Sequence, residues 1–223
     1  MSDIYQYNKI ANEFSNIHED GNKFSNIEYY KRLLPYIESK NILDVGCGDG
    51  SDMVLYTEHA KKVFGIDSSS ELLSMAREKN PQAVISEGVF NSIPFDDCFF
   101  DVVLSKYALQ TIQSFNDFYN ETHRVLKKKG FLVFLTVHPL RQFFEKKTRS
   151  KNYFKQTEVA SVLFNGELSV IEPTHTLQDY LSDSFLQKFE LIDYFEKDDF
   201  YSAEKIGNNN YPTYLMIIAR KRT

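Results

Sequence analysis

The sequence of 223 residues is poor in cysteine and histidine, has no long apolar segment and carries no excess of positive charge. Its two cysteines, Cys47 and Cys98, cannot build a disulfide framework, so a reducing cytoplasm is the expected location. The five histidines lack the spacing of metal ligands, and no metal site is expected. The longest apolar runs, such as residues 131–137, fall far short of the roughly 20 residues that a membrane span needs. The net charge of −5 disfavours a protein that coats nucleic acid.

Apolar runs typical of buried strands alternate with helical patterns through the first 137 residues. The strands are predicted at residues 41–45, 62–66, 83–86, 100–104 and 131–137. Helices are predicted at residues 51–59, at residues 114–127, and between the second and third strands from a Ser68–Glu71 capping box to Pro81. This alternation predicts right-handed crossovers and a doubly wound, mostly parallel α/β sheet.

The alternation breaks after residue 138. Residues 159–164 and 167–171 are rich in β-forming residues and flank Asn165-Gly166, a strong signal for a hairpin turn. Residues 176–188 have a helical pattern. Residues 189–194 and 213–220 indicate two further strands, which could pair antiparallel because no helix separates them.

These patterns indicate a single domain with four parts. A capping box at Ser25 and Glu28 opens an N-terminal helix, which Pro35 should end or kink. The parts are N-terminal cap helices (1–39), a core (40–138), an α/β insert after strand five (139–175), and a C-terminal helix with two strands (176–223). The insert is too long for an ordinary connection between elements.

A glycine-rich turn, ILDVGCGDG at Ile42–Gly50, follows the first predicted strand. A strand, such a turn and a helix together form an opening that binds nucleotides. Asp67 ends the next strand, 21 residues after Gly46, where an acid can bond both hydroxyls of a ribose.

The acids of this turn discriminate between nucleotide ligands. A dinucleotide places a pyrophosphate over the turn, and its fingerprint requires Gly or Ala where this chain has Ser51. Asp44, Asp49 and Asp52 would repel that pyrophosphate, but they suit the ammonium and sulfonium groups of S-adenosylmethionine. Asp49 and Asp52 could equally be solvated residues of the turn and the helix N-terminus.

Four segments, in this order, resemble those of the class I S-adenosylmethionine-dependent methyltransferases of the small-molecule type: LDVGCGDG, FGID, IPFDDCFFDVV and RVLKKKGFLVF. The opening YNKIANEF also resembles that group's N-terminal segment. The resemblance covers about residues 40–137 and implies a Rossmann-like, seven-stranded sheet with an antiparallel last strand. It further implies S-adenosylmethionine as methyl donor, S-adenosylhomocysteine as product, and an insert that acts as a substrate lid.

Carried over position by position, the resemblance implies which residues bind the cofactor. The glycine turn should line its methionine end, Asp67 should bind the ribose, and the loop after strand three should lie at the adenine. The implied residues are Tyr7, Asp44, Gly46, Cys47, Gly48, Gly50, Asp67, Ser68, Val89, Phe90 and Ser105. The acid that usually binds the adenine amino group is missing at Val89, so either backbone and packing hold the adenine or Glu87 substitutes.

Residues after strands four and five should project toward the transferred methyl group, because ligands of open α/β sheets bind beyond the carboxyl ends of the strands. His138 and His175 are candidate bases, although His138 could instead order the turn at Pro139. Tyr107, Arg141 and Tyr153 are candidates for binding the acceptor. Residues 141–155 contain six basic residues and one acid, which fits either an anionic acceptor or a solvated face.

The sequence therefore predicts a cytoplasmic methyltransferase that acts on a small molecule by direct displacement. Two alternatives stay open: a nucleic-acid methyltransferase that uses the basic run, and a non-catalytic partner protein that binds S-adenosylmethionine. Asp44 and Ser51 disfavour a nicotinamide dehydrogenase. No membrane contact is expected, and the oligomeric state does not follow from the sequence.

Overall fold

A computed structural model describes residues 6–18, 24–147, 151–163, 168–198 and 210–223. A central sheet of seven strands has the order β3-β2-β1-β4-β5-β9-β8. Strands β1 to β5 are parallel, whereas β9 runs antiparallel to both β5 and β8. The prediction of a doubly wound sheet with an antiparallel last strand is confirmed.

The strands of this sheet are β1 (Asn41–Val45), β2 (Lys62–Asp67), β3 (Val84–Glu87), β4 (Phe100–Lys106), β5 (Leu126–Val137), β8 (Phe189–Lys197) and β9 (Tyr214–Lys221). The helices are α1 (Gln6–Lys9), α2 (Ala11–His18), α3 (Phe24–Ile37), α4 (Ser51–His59), α5 (Ser70–Lys79), α6 (Asn116–Val125), α7 (Pro139–Glu145), α8 (Leu177–Tyr180) and α9 (Asp183–Lys188). A 3₁₀ turn, Leu109–Thr111, follows β4. No helix in the described ranges is long and apolar enough to cross a bilayer.

Each face of the sheet is covered by its own apolar core. One core joins Leu43 and Phe134 to Phe118 of α6 and Phe185 of α9. The other joins Ile42 and Leu104 to aromatic residues of α3 and α4. Because both faces are covered, the central strands are continuously apolar, as the sequence predicted.

Several predicted boundaries are wrong by a few residues. Helix α3 begins at Phe24, so Ser25 lies inside it, and the helix continues through Pro35 to Ile37. The N-cap of α5 is Ser69 and not Ser68, because the Ser69 hydroxyl accepts from the Leu72 N–H at 3.2 Å. Sequence patterns could not distinguish these adjacent serines.

Two further elements differ from prediction. The helix expected over residues 176–188 is divided into α8 and α9, and Thr176 forms a capping box with Asp179 at the start of α8. Strand β5 starts at Leu126 and not at residue 131, with a register shift against β4 and a left-handed Lys129 at φ 60°. The positive φ of Lys129 marks a bend within the strand, between residues 127 and 130.

The insert after β5 contains α7 and a separate antiparallel hairpin of β6 (Glu158–Leu163) and β7 (Leu168–Pro173). The hairpin is as predicted, but its proposed Asn165-Gly166 turn lies outside the described residues. Helix α1 contacts this hairpin, because the Gln6 amide both donates to the Ile171 carbonyl and accepts from the Ile171 N–H. The insert and the N-terminal helix thus meet above the same edge of the sheet.

Asp49 ties the end of the glycine turn to two helices. Its side chain is almost fully buried and accepts from Lys79 Nζ of α5 at 2.7 Å and from the Ser15 hydroxyl of α2 at 2.7 Å. The Ser51 hydroxyl also donates to it. A carboxylate buried in this way depends on its cation, because an unpaired buried charge is strongly destabilising.

We therefore expect Lys79→Met to lower the free energy of unfolding by about 3 kcal/mol. This is the low end of the range for breaking a buried ion pair, and it is chosen because the Lys79 side chain is 24% exposed. Urea denaturation would measure this, and Asp49→Asn/Lys79→Met should recover part of the loss because it leaves no unpaired charge. A single-variant cost below about 1 kcal/mol would show that this is an ordinary surface pair.

Candidate active site

The carboxyl ends of β1, β2, β4 and β5 meet at one edge of the sheet, which is where ligands of open α/β sheets bind. The glycine turn follows β1 at this edge. Gly46, Gly48 and Gly50 all have positive φ, at 78°, 55° and 73°. This left-handed backbone is accessible to glycine and costly for other residues, which explains the spacing of the glycines.

Two of these glycines have different surroundings. A Cβ at Gly46 would lie 2.4 Å from Cβ of Ala108, so the turns after β1 and β4 touch there. A Cβ at Gly48 would meet only the Phe14 ring, at 3.9 Å. The backbone at Gly48 therefore has space beside it, bounded by the aromatic side chain of α2, that a ligand could occupy.

Asp67, at the end of β2, is held in place by backbone donors. Its two carboxylate oxygens accept from the N–H groups of Gly48 and Ser69, each at 2.9 Å. Burial raises the pKa of Asp67, and these N–H groups act in the opposite direction. A carboxylate oxygen has more than one lone pair, so Asp67 can still accept from ribose hydroxyls. Ser68 is half-buried beside it.

Asp44, at the end of β1, is a buried acid with an unused oxygen. It is 2% exposed, and its Oδ1 has no hydrogen-bond partner within the described part of the chain. Burial and the charge of Asp52 raise its pKa, and Lys106 acts against them. The hydroxyl of Ser105, in the neighbouring strand β4, is likewise buried and unpartnered among the described residues. Such an arrangement fits a ligand that brings an ammonium group.

The other two acids of the turn have cations from the protein itself. Asp49 is paired with Lys79. Asp52 is paired with Lys106 at 2.6 Å and also accepts from the Tyr30 hydroxyl. Asp49 and Asp52 are therefore not solvated turn residues. Their charges are already neutralised by lysines and do not serve to neutralise a cationic ligand. Lys106 is the last residue of β4, at the strand end from which side chains were expected to project toward the methyl group, but it packs over the Tyr30 ring.

The loop after β3 lies beside Asp67. Glu87 is the register partner of Asp67, and the Gly88 N–H donates to the Asp67 carbonyl. Val89 is 38% exposed, and Phe90 packs edge-on against Phe118. These residues are placed where an adenine could lie, but they add no carboxylate.

Cys47 lies in the glycine turn but is not a reactive thiol. Its side chain is buried against Gly65, where a Cβ would be 2.9 Å from Sγ. Burial raises the pKa of the thiol, and nearby Asp44 raises it further. A buried thiol of this kind is inert, and the predicted role of Cys47 in lining the site requires no reactivity.

Tyr7 connects the glycine turn to the insert. Its ring packs edge-on against Phe14, with centroids 5.9 Å apart. Burial raises the pKa of Tyr7, and the charges of Glu172 and then Asp67 raise it further. The Tyr7 hydroxyl therefore lies within electrostatic reach of the predicted ribose ligand and of an acid in β7.

The geometry of His138 favours the turn-forming role over the role of general base. The ring is fully buried, and its Nδ1 accepts from the Leu140 N–H at 3.0 Å, which caps α7. Its Nε2 lies 2.9 Å from the Glu196 carboxylate. Burial lowers the pKa of His138. Both ring nitrogens are engaged by the protein, so neither is available to an acceptor without rearrangement.

One ring nitrogen of His175 contacts a protein group, whereas the buried Nδ1 has no hydrogen-bond partner within the described ranges. Its Nε2 lies 3.1 Å from the Gln110 carbonyl oxygen, and its backbone N–H donates to Gln142. The ring packs on Phe115, with centroids 4.6 Å apart. Burial lowers the pKa of His175 to about 4, so the imidazole is neutral at pH 7. This arrangement supports packing of the insert against the end of β4.

Tyr107 follows β4 directly and has a left-handed backbone, with φ 50°. Its N–H donates to the Leu135 carbonyl at 2.7 Å, and its carbonyl accepts from the Gln110 side chain. Backbone strain of this kind in a non-glycine residue occurs often at functional sites. Tyr107 thus stays a candidate for contact with the acceptor.

Three of the six basic residues in residues 141–155 are engaged by other groups of the protein. Arg141 is paired with Glu145 at 3.0 Å. Lys146 is buried and donates to the carbonyls of Asn152 and Lys155. Lys151 donates to the Phe144 carbonyl, and Arg149 lies outside the described residues. These contacts weaken the prediction that the run attracts an anionic acceptor.

Tyr153 is placed away from the glycine turn. Its hydroxyl accepts from the Leu177 N–H at 2.9 Å, at the start of α8. It lines an open groove of about 910 Å³ together with residues such as Gln113, Asn116 and Phe154. None of the predicted cofactor residues lines this groove. The contacts of Tyr153 therefore favour a structural role.

Sequence reasoning missed Glu172, a buried acid in β7. Its Oε1 accepts from Gln142 Nε2 at 3.1 Å and from the Ser161 hydroxyl at 2.7 Å. In β7 the inward positions are Val170 and Glu172, while Ile171 is 46% exposed. Side chains alternate between the two faces of a strand, so a buried glutamate next to an exposed isoleucine reverses the usual pattern. That reversal is the signal in the sequence that could have identified Glu172.

Known proteins share this fold and these segments. Residues 43–134 match the family described as Methyltransferase domain. A protein of Listeria monocytogenes, assigned as an S-adenosylmethionine-dependent methyltransferase, has a crystal structure that superposes with a TM-score of 0.71. It is 26% identical over 89% of this chain and 99% of that chain.

Curated relatives match the central part of the sequence. A Mycolicibacterium smegmatis protein, assigned to the same activity, is 30% identical over 115 residues, which are 52% of this chain and 44% of that protein. The malonyl-[acyl-carrier protein] O-methyltransferase of Pectobacterium atrosepticum is 29% identical over 105 residues, which are 47% of this chain and 42% of that protein. The chain spans about half the length of the curated relatives it matches.

The burial of His175 predicts a pH dependence of stability. The unfolded chain protonates this histidine near its ordinary pKa of 6.5, whereas the folded chain does so only near 4. Stability is therefore complete above about pH 6.5 and is lost as the pH falls toward 4, by about 3 kcal/mol in total. Urea denaturation between pH 7.5 and 4.5 should show a smaller decline in His175→Gln than in the wild type. His59→Gln is the control, and equal declines in all three proteins would contradict the assignment.

Proposed function

We propose that this protein, a class I S-adenosylmethionine-dependent methyltransferase, transfers a methyl group to a small-molecule acceptor by direct in-line displacement. When bound, S-adenosylmethionine supplies an electrophilic methyl group on a sulfonium sulfur. The observation that carries the proposal is the pair of acids at the ends of β1 and β2: Asp44 has an unused buried oxygen, and Asp67 is fixed by two N–H groups. A reducing cytoplasm remains the predicted location.

Different residues at this edge of the sheet bind different parts of the cofactor. Asp44 balances the ammonium group, the turn of Gly46, Cys47, Gly48 and Gly50 lines the methionine part, and Ser105 lies beneath it. Asp67 accepts from the ribose hydroxyls. Ser68, Val89 and Phe90 border the adenine, and Tyr7 covers the ribose side from α1. Packing and backbone groups hold the adenine, because this loop offers no buried acid.

The insert supports a small acceptor. Helix α7 and the β6–β7 hairpin, together with α1, cover the edge above β4 and β5. An enclosed approach of this kind suits a small molecule better than a duplex. The relatives that methylate malonyl-[acyl-carrier protein] support a small acyl acceptor, either free or carried on a protein. The net charge of −5 and the committed lysines of the insert disfavour a nucleic acid.

Binding of the cofactor provides a direct test. Asp67→Ala should weaken S-adenosylhomocysteine binding by roughly 10- to 150-fold, the scale of hydrogen bonds to a charged group. Asp96→Ala, which removes an exposed acid, is the control and should bind as the wild type does. Titration calorimetry would measure both, and thermal melting would verify that the variants are folded. NAD binding to the wild type, or unchanged affinity in Asp67→Ala, would contradict the assignment.

The acceptor class is tested by release of S-adenosylhomocysteine. The protein would be incubated with S-adenosylmethionine and, separately, with pooled metabolites, acyl-carrier-protein thioesters and RNA. We expect turnover with a small-molecule or carrier-bound acyl pool and none with RNA. Turnover with RNA alone would favour the nucleic-acid alternative. Tight binding of both adenosyl ligands without turnover in any pool would favour a non-catalytic partner protein.

A further inference from the structure

Glu172 of β7 is a buried acid with one unused oxygen. Its side chain is 1% exposed. Oε1 is bonded by Gln142 of α7 and Ser161 of β6, but Oε2 has no hydrogen-bond partner in the described ranges of the chain. Burying a polar oxygen without a partner is costly, so a ligand that brought a donor to Oε2 would be stabilised there.

A series of buried hydrogen bonds connects Glu172 to the ends of β4 and β5. Gln142 bonds Glu172 through Nε2 and accepts from the His175 N–H through Oε1. His175 in turn contacts the Gln110 carbonyl, and the Gln110 side chain accepts from Thr136 of β5. These strand ends are the ones toward which a methyl donor on Asp44 and Ser105 would point.

The N-terminal helix places Glu172 opposite the glycine turn. Gln6 makes paired hydrogen bonds with Ile171, the residue before Glu172. Tyr7, next along α1, contacts Phe14, whose ring would lie 3.9 Å from a Cβ at Gly48. Glu172 and the glycine turn are thus bridged by one short run of residues that bounds the space between them.

The Ser161 hydroxyl lies between two carboxyl groups. Its oxygen lies 2.7 Å from Oε1 of Glu172 and 3.1 Å from Oε2 of Glu145. A hydroxyl has one hydrogen to donate, and the shorter distance assigns that hydrogen to Glu172. Glu145 accepts from Arg141 Nε at 3.0 Å and does not depend on Ser161. The Ser161 hydroxyl therefore fixes Oε1 of Glu172 and leaves Oε2 for a ligand.

We propose that Oε2 of Glu172 binds an O–H or N–H group of the acceptor and takes its proton during methyl transfer. This inference rests on the proposed function. The acceptor oxygen or nitrogen forms a bond to the methyl carbon through its lone pair, while the carbon–sulfur bond breaks and leaves its electron pair on sulfur. The acceptor proton passes to Oε2, and the neutral carboxyl later releases it to water. The substrate class is an alcohol, acid or amine with a transferable proton.

The electrostatic surroundings agree with this role. Burial raises the pKa of Glu172 to about 7, so the group can both accept and release a proton near neutral pH. The charged and titratable groups that face it are Tyr7 of α1, Arg141 and Glu145 of α7, and Tyr180 of α8. The tyrosines have raised pKa values and stay neutral near pH 7, whereas Glu145 and Arg141 carry opposite charges that partly cancel.

The test uses the charge difference between the two adenosyl ligands and needs no acceptor. S-adenosylmethionine has a sulfonium charge and S-adenosylhomocysteine does not, so an ionised Glu172 facing the sulfur favours the former. In the wild type, the affinity ratio of S-adenosylmethionine to S-adenosylhomocysteine should rise at least roughly fivefold from pH 6 to pH 8. In Glu172→Gln the ratio should be flat, and Glu172→Asp, which keeps the charge, should retain part of the rise.

Glu158→Gln provides the matched control, because Glu158 is an exposed acid on the same hairpin, paired in register with Pro173. It should show the wild-type rise. A wild-type ratio that does not change with pH, or the same rise in Glu172→Gln, would overturn the role of Glu172 while leaving cofactor binding established. Failure of the wild type to bind either ligand would instead overturn the proposed function.

Discussion

The structure depends on how buried negative charge is balanced at one edge of a parallel sheet. Asp44, Asp49, Asp52 and Asp67 all lie within or beside the turn that joins β1 to α4. Water is largely excluded there, so each carboxylate needs a cation, a set of N–H donors or a proton. The hydrogen-bond and ion-pair partners of each aspartate show whether that aspartate stabilises the fold or is available to a ligand.

Two of these acids are satisfied by lysines that also fix the layers of the domain. The ion pair between Lys79 and Asp49 holds α5 against the glycine turn. The ion pair between Lys106 and Asp52 holds the end of β4 against α4. Asp67 is satisfied by backbone N–H groups and so keeps a fixed position without losing its capacity to accept. Of these four acids, Asp44 is the one with a buried oxygen that has no hydrogen-bond partner in the described part of the chain, and Oε2 of Glu172 in β7 is in the same condition.

The parts of this arrangement that depend on local sequence could be predicted. The glycine turn requires left-handed backbone at set positions, and continuous apolar runs indicate strands covered on both faces, so the sheet and its core follow from the sequence. The cofactor residues stay a prediction that rests on the resemblance of the sequence to a known family. The partners of side chains do not, because they depend on tertiary distance. Lys79 is 30 residues from Asp49, and Glu196 is 58 residues from His138. For that reason the sequence could not show that both ring nitrogens of His138 are engaged, or that Glu172 is buried beside Gln142 and Ser161.

A crystal structure of the protein with S-adenosylhomocysteine would test the central claim, that the unpartnered buried acid marks the cofactor site. We predict that the amino group of the ligand bonds Asp44 and that the ribose hydroxyls bond Asp67. Asp49 and Asp52 should remain paired with Lys79 and Lys106. A complex in which the amino group lies away from Asp44, or in which Lys79 or Lys106 leaves its acid to meet the ligand, would contradict it.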